Sequence, residues 1–442
     1  GKPSYGDGGA IDLSSGGFGQ ADVASAMTTR IDLGGELRAY GMENGGSLNL
    51  STSSIHLGGN PRGAVGELVL DEGFFAKGGF STYKLTGVDG VVVEDGFTLQ
   101  PKPMSAQLRA DSRLTPSGAN LAAVTQQIAL PADLRAPTRV ELVAENFTRG
   151  DITVGEGASI RVDPEGEVVL SANHQLTVLG TVEAAAGRIV LKQTELVGNE
   201  HTEIANFDPG RSIFLGSNSQ LLATGYYRAE PNAQNLRKGD VLDGGNVNIT
   251  AAKGYLIAQQ GSLINVSGTE TTLDLVGASG LAATPVASNG GTITLAAREG
   301  MILEGDLLGR AGGSLAQGGS LAVEMDRMGK NWSFIGGTPP ALNSQRVVTL
   351  QASQTALTAG MEAGTALDTD SLNGQARLAQ SQVEAGGFAD LGLQGEHRIA
   401  FADDVDLSLA GRLSLYAPNL SAVDAAQVDL AAASVIIGNP DK

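Results

Sequence analysis

Apolar and polar residues alternate along most of this chain in short runs, and glycine opens each run. The pattern reads GGAIDLS from Gly8, GGELRAY from Gly34, GGSLNLS from Gly45, GEVVLS from Gly166, GGNVNIT from Gly244, GGTITLAA from Gly290, GGSLAVEM from Gly318 and GRLSLYA from Gly411. A period of two puts residues such as Val247 and Ile249, or Ile293 and Leu295, on one face of a short strand. The glycines read as the turns between strands. From Gly244 the chain continues NVNIT, AKG, YLIAQ, QGS, LINVSG, and from Gly290 it continues TITLA, AREG, MILEG. Short strands in sets of three, with brief turns between them, predict a repeat of about 20 to 25 residues, the rung of a parallel β-solenoid. Asn-Gly or Asp-Gly hairpins, which an antiparallel sandwich requires, are not the dominant punctuation.

This rhythm predicts rungs over 1–99, 141–197, 244–325 and 386–442. Three stretches depart from it. Residues 100–140 carry Pro101, Pro103, Pro116, Pro131 and Pro137, lose the glycine pairs and read as an excursion in which LAAVTQQI suggests a short helix. Residues 198–243, with NEHTEIANFDPGRS and YYRAEPNAQNLRKGD, are polar and turn-rich, a second excursion or a long loop capping a rung. Residues 326–385 begin irregularly, with Trp332, the only tryptophan, near Gly336, Gly337, Pro339 and Pro340. From 351 to 385 the chain is rich in Ala, Gln and Thr and reads equally as helix or as weakly ordered strand.

Composition agrees with stacked rungs. Of 442 residues 62 are glycine, aromatics are only 4%, and the 41% hydrophobic residues are mostly small aliphatics. Rungs stacked about 4.8 Å apart align like side chains in inward columns, which Ala, Val, Leu and Ile fill without bulk. Some 14 to 18 rungs are expected, a rod of about 70 to 90 Å. The net charge of −19 makes nucleic acid and anionic membrane poor partners. The absence of cysteine removes disulfides, thiolate metal sites and cysteine nucleophiles, and suits a chain that crosses an oxidising compartment unfolded. No apolar run approaches 18 residues, so no membrane-spanning helix is expected. The start at Gly1 carries no signal-like segment, and any export signal is expected outside this sequence.

The stretch VLDGGNVNITAAKGYLIAQQGSLINVSGT from Val241 to Thr269, followed by NGGTITLAAREGMILEGDLLGRAGG from Asn289 to Gly313 and GGSLAVEM from Gly318, resembles the filamentous-haemagglutinin-like adhesins of bacterial two-partner secretion. The resemblance is best over about 225–325 and weaker over 130–200 and 386–438. It implies an all-β, right-handed parallel β-helix, exported through an outer-membrane β-barrel transporter and displayed at the cell surface or released. It implies attachment to extracellular polysaccharide or to a cell-surface receptor. The family's secretion domain is not recognisable here, so shaft or distal functional region is the expectation.

Parallel β-helices also carry carbohydrate-active enzymes, whose paired carboxylates sit about 5 to 9 Å apart. The candidates are Asp403, Asp404 and Asp406 in IAFADDVDLSL, where a continuous strand places Asp404 and Asp406 on one face; a solvated turn is the plainer reading. Glu396, His397 and Arg398 lie one strand earlier in what looks like an ordinary polar turn. No cofactor or metal is expected: His56, His174, His201 and His397 are scattered with no partner at ligand spacing, and Glu200, His201, Glu203 and Asp208, the densest polar group, leave a loop-borne ion only as the lesser reading. Nucleophile-elbow and phosphate-loop motifs do not occur. Binding is thus favoured over catalysis, with Tyr226, Tyr227 and Trp332 as candidate contact residues, since amphipathic aromatics stack on sugars and anchor interfaces. The plainer reading is that they plug the rod beneath a long loop. Asn49, Asn146, Asn248, Asn265, Asn331 and Asn419 head Asn-x-Ser/Thr triplets, which a polar strand surface also yields by chance.

Overall fold

The computed structural model describes residues 6–14, 30–146, 149–193, 209–278, 280–325, 345–354, 356–367 and 372–439. Alternating strands coil into a parallel β-solenoid with three faces. The first face stacks Ala10–Ser14, 46–51, 82–86, Arg139–Ala144, Glu167–Ala172, Arg188–Gln193, Asn246–Ala251, Thr292–Ala297, Ser320–Met325, Asp390–Gly395, 413–416 and 434–438, each parallel to the next. The third face stacks Thr98–Leu99, Ser159–Arg161, Thr181–Glu183, Gln220–Leu222, Leu263–Asn265 and Asp306–Leu308. At 4.8 Å per layer the twelve first-face strands span about 53 Å. The described rod is therefore shorter than the 14 to 18 rungs expected, because excursions consume chain without adding layers.

Strict alternation makes the core. Leu13, Leu50, Leu85, Leu142, Leu170, Leu191, Ile249, Leu295, Val323, Leu393, Leu415 and Ile437 face one another in an unbroken column along the first face. From Leu50 to Leu415 every member is buried. The glycine pairs have a role other than the turn read from the sequence. A Cβ on Gly245 would stand 2.1 Å from the carbonyl oxygen of Gly187, one on Gly291 1.9 Å from that of Gly245, and one on Gly319 2.1 Å from that of Gly291. Successive rungs thus approach at this corner too closely for any side chain. The pair at Gly34, by contrast, opens coil and no strand.

Two short helices take strand positions on the third face. Glu72–Phe75, capped by the Asp71 carboxylate accepting from the Phe74 N–H at 2.8 Å, lies beyond Thr98–Leu99, whose first N–H donates to Glu72. Here the interior admits aromatics: Phe75, Phe80 and Tyr83 meet edge to face, Phe75 and Tyr83 at 5.2 Å. Gln380–Gly386 sits between Asp306–Leu308 and 405–409, with Gln382 donating to the carbonyls of Leu303 and Gly305 and Gln380 clasping both backbone groups of Asp406.

The second face departs from chain order twice. Glu67–Leu70 doubles back to lie outside 54–57, which continues to 90–93. Regular stacking follows through Asp151–Val154, Leu176–Val178, Ser212–Leu215, Tyr255–Ala258 and Gly300–Leu303. Gln375–Ala379 then precedes Val347–Gln351 in the stack, and Arg398–Ala402 and Leu420–Ala422 complete it. A buried polar network sits where these inverted strands begin. Arg346 donates to Glu299 at 2.9 Å, Asn373 donates to Glu299 at 3.3 Å and to the Tyr255 hydroxyl at 3.0 Å, and the Arg346 N–H donates to His397 Nδ1 at 3.1 Å.

These strands revise the segment boundaries. Ser212–Leu215 and Gln220–Leu222 belong to the rod although they fall inside 198–243, and Val347–Gln351 and Gln375–Ala379 do so inside 326–385. No glycine pair precedes them, which hid them. Conversely, 244–325 contains an antiparallel hairpin, Glu270–Gly277 with Gly280–Ala287. In LAAVTQQI only Leu121–Val124 is helical, and Thr125–Ala129 is a strand.

Candidate functional site

Among the described residues three antiparallel hairpins interrupt the coil, and all three leave from the corner between the third and first faces. They are Met104–Leu108 with Thr125–Ala129, Tyr226–Ala229 with Gly239–Leu242, and Glu270–Gly277 with Gly280–Ala287. Because they share a corner, they meet. The Tyr226 hydroxyl donates to Asp133 at 2.8 Å, joining the second excursion to the first. Arg228 reaches Glu165 in the rod and Asp240 within its own hairpin. Arg135 holds Asp163 through two bonds of 2.9 and 2.5 Å, with both side chains nearly buried, and so anchors the first excursion to the coil. Arg237 and Asp274 join the second and third hairpins by a 2.6 Å ion pair and by the Asp274 N–H donating to the Arg237 carbonyl at 2.9 Å. The result is one continuous ridge.

The ridge carries unpaired apolar surface. Val276 is 85% exposed and Leu114 87%, and Leu108, Leu134, Leu275 and Leu281 are also exposed. Isolated surface aliphatics are ordinary, but a concentration of them on projecting elements marks a contact surface. Its ion pairs shape the titration of the ridge. Burial first, and the Asp133 carboxylate second, push the Tyr226 hydroxyl up to about 12, while hydrogen bonds from Arg237 hold the Asp274 carboxyl below its usual value.

Tyr226 and Tyr227 lie on this ridge, both half-buried, with the Tyr227 hydroxyl donating to the Lys238 carbonyl at 2.8 Å. The Tyr226 hydroxyl joins two excursions, while that of Tyr227 closes its own hairpin. Trp332, His201 and the Glu200, Glu203 and Asp208 group lie outside the described residues, as does Asn331. Asp403, Asp404 and Asp406 are all exposed. Asp403 turns the chain with φ of 61°, Asp404 accepts the Gln427 N–H, and Asp406 is held by Gln380, so the continuous strand begins only at Val405. His56 contacts Glu94 and His174 contacts Asp151, each at 2.7 Å, and His397 accepts from Arg346. Asn49 and Asn146 donate to Asp12 and Asp89. Among the described residues no group of three or more His, Asp or Glu is placed to hold a metal, and no helix is long and apolar enough to cross a membrane.

A second feature lies on the outside of the second face. Residues 356–367 cross it as a strap and cover a small cluster of Phe214, Tyr255, Ile257, Ile302 and Leu367. The Tyr255 hydroxyl donates to the Leu367 carbonyl, Gln259 donates to Met361, and Glu304 accepts from Leu357 and Thr358. At one margin of the strap a cleft of about 250 Å³ opens between it and the rod.

The signals in the sequence were uneven. The third hairpin is flanked at its tip by Gly277 and Gly280, the nearest the sequence comes to a local signal for it. The strap's docking has no local signal, since its partners are remote in the chain. Comparison of the chain with protein-family models, with curated proteins and with solved structures gave no match.

Proposed function

We propose that this chain is a non-enzymatic segment of a secreted or cell-surface adhesin or matrix scaffold, a rigid β-solenoid that presents a contact surface to extracellular polysaccharide or to a cell-surface receptor. The observation that carries this reading is the ridge: three hairpins leave one corner, are tied by Tyr226–Asp133 and Arg237–Asp274, and expose aliphatic side chains. A spacer with no contact role has no need to gather its insertions on one side. The passage through an outer-membrane β-barrel transporter belongs to the same proposal, supported by the absence of cysteine and by the resemblance of Val241–Thr269.

The test is a binding measurement of the labelled full chain on intact bacterial and host cells and on extracted matrix polysaccharide. Val276→Asp with Leu281→Asp keeps the hairpin ladder and replaces its apolar tip. Attachment is expected to fall about tenfold, a loss of roughly 1.4 kcal/mol. Unchanged attachment overturns the ridge as the contact surface.

A further inference from the structure

The cleft beside the strap has no part in the ridge, which lies on another corner. One wall comes from the turns between the second and third faces, with Glu156, Leu179 and Asn218, and the other comes from Met361 and Glu362 of the strap. Its floor includes the edge of Phe214. Two chemical features stand out. First, Glu156 and Glu362 are exposed, and among the described residues neither carboxylate meets a cation or a hydrogen-bond donor, whereas other carboxylates of this rod, such as Glu141, Glu165 and Glu304, are engaged. Secondly, among the described residues no Lys or Arg lines the cleft. Two uncompensated carboxylates at one cleft create a local field that draws a cation and repels uronates and phosphates. Half-buried Leu179 and Met361 beside the Asn218 amide make the lining amphipathic in the way a pyranose ring is, with its C–H face and its hydroxyl edge.

We propose that this cleft binds a hexosamine unit bearing a free amine, within a polysaccharide, with Glu156 and Glu362 pairing to the ammonium and Leu179 and Met361 seating the ring. This names a ligand class for the attachment reading and rests on it only for its biological setting. The ridge variant Val276→Asp, Leu281→Asp leaves the cleft intact, so the two fail separately.

The experiment is a calorimetric titration of the full chain with a glucosamine tetrasaccharide at about pH 6 and low salt, where its amines are charged. The fully N-acetylated tetrasaccharide and a galacturonate oligomer serve as comparisons. Binding of the glucosamine oligomer is expected to exceed both by at least about tenfold, to weaken with salt, and to fall about tenfold in the Glu156→Gln, Glu362→Gln double variant. Both glutamates are exposed, so an unchanged circular dichroism spectrum checks that the variant is folded. Equal binding of the N-acetylated oligomer, full binding by the double variant, or no binding of the glucosamine oligomer overturns the proposal. Equal binding of tetralysine overturns it too, since the cleft then selects charge and not a sugar.

Discussion

Rungs between Arg139 and Gly300 stack in chain order, whereas beyond Leu303 on the second face Gln375–Ala379 comes before Val347–Gln351. The two regions are held by different means. In the first, inward columns of Leu, Ile and Val, and the glycine corner, suffice: each strand stacks on the coil before it, and the two hairpins that intervene return the chain to the corner they leave, so connectivity sets its place. In the second, connectivity does not dictate the place, and an aliphatic strand fits one aliphatic slot about as well as the next. The starts of these strands carry buried polar groups instead, with Glu299 joined to both Arg346 and Asn373. Leaving the carboxylate or its donors unpaired is costly, and the observed order brings both Arg346 and Asn373 to Glu299. Apolar columns supply the stability, and polar contacts choose among arrangements of similar burial.

The largest effect is expected at that network. Arg346→Ala removes the closer of the two cations beside the buried Glu299 carboxylate, leaving Arg298 at 3.4 Å, and should cost about 3 to 5 kcal/mol locally. Hydrogen exchange should show protection lost in Val347–Gln351 and Gln375–Ala379 and retained in Glu167–Ala172. The double variant Glu299→Leu, Arg346→Leu also takes the carboxylate from Arg298 and Asn373, and should leave exchange in those two strands heterogeneous. Uniform native protection in the double variant breaks the comparison.

Leu170→Ala, in the ordered region, should cost about 2 to 5 kcal/mol. Its column neighbours are Leu142 and Leu191, and increased exchange should centre on their strands without any change of strand order. Gly245→Ala should follow at about 1 to 3 kcal/mol, because the added methyl meets the Gly187 carbonyl at a backbone that has little freedom to yield. A melting temperature equal to that of the parent would show that the corner is looser than this spacing implies.

The smallest effect is expected at the ridge. Tyr226→Phe removes one hydrogen bond to Asp133 and should cost about 1 kcal/mol. The hydroxyl titrates above its ordinary value, so its contribution is complete below pH 10.0 and is lost as the pH rises towards about 12. Ultraviolet titration of the parent should show one late tyrosinate transition that the variant lacks.

How much of this was legible in the sequence follows the same division. Val247, Ile249, Ile293 and Leu295 declared the ladder through their period of two, and the coil follows from it. Ser212–Leu215 and Val347–Gln351 stack identically but lack the opening glycine pair, and went unread. Glycine marks the crowded corner, and a strand that reaches the second face by another route has no need of it. Tyr226 and Tyr227 drew notice as rare aromatics, and they do lie on the ridge. Leu275, Val276 and Leu281 did not, because a leucine bound for solvent is indistinguishable in sequence from one bound for the core. The inversion of two strands was hidden altogether, since Glu299, Arg346, Asn373 and His397 come together only in three dimensions.

The helix Gln380–Gly386 has a mechanical consequence. Among the described residues, the third face has no strand pairing between Leu308 and Val405, and the gap is bridged by the side chains of Gln380 and Gln382. A tear started in the ladder on one side must break a different kind of bond before it can reach the other. Under tension the helix acts as a crack-stop, dividing one face of the rod into two lengths that fail independently.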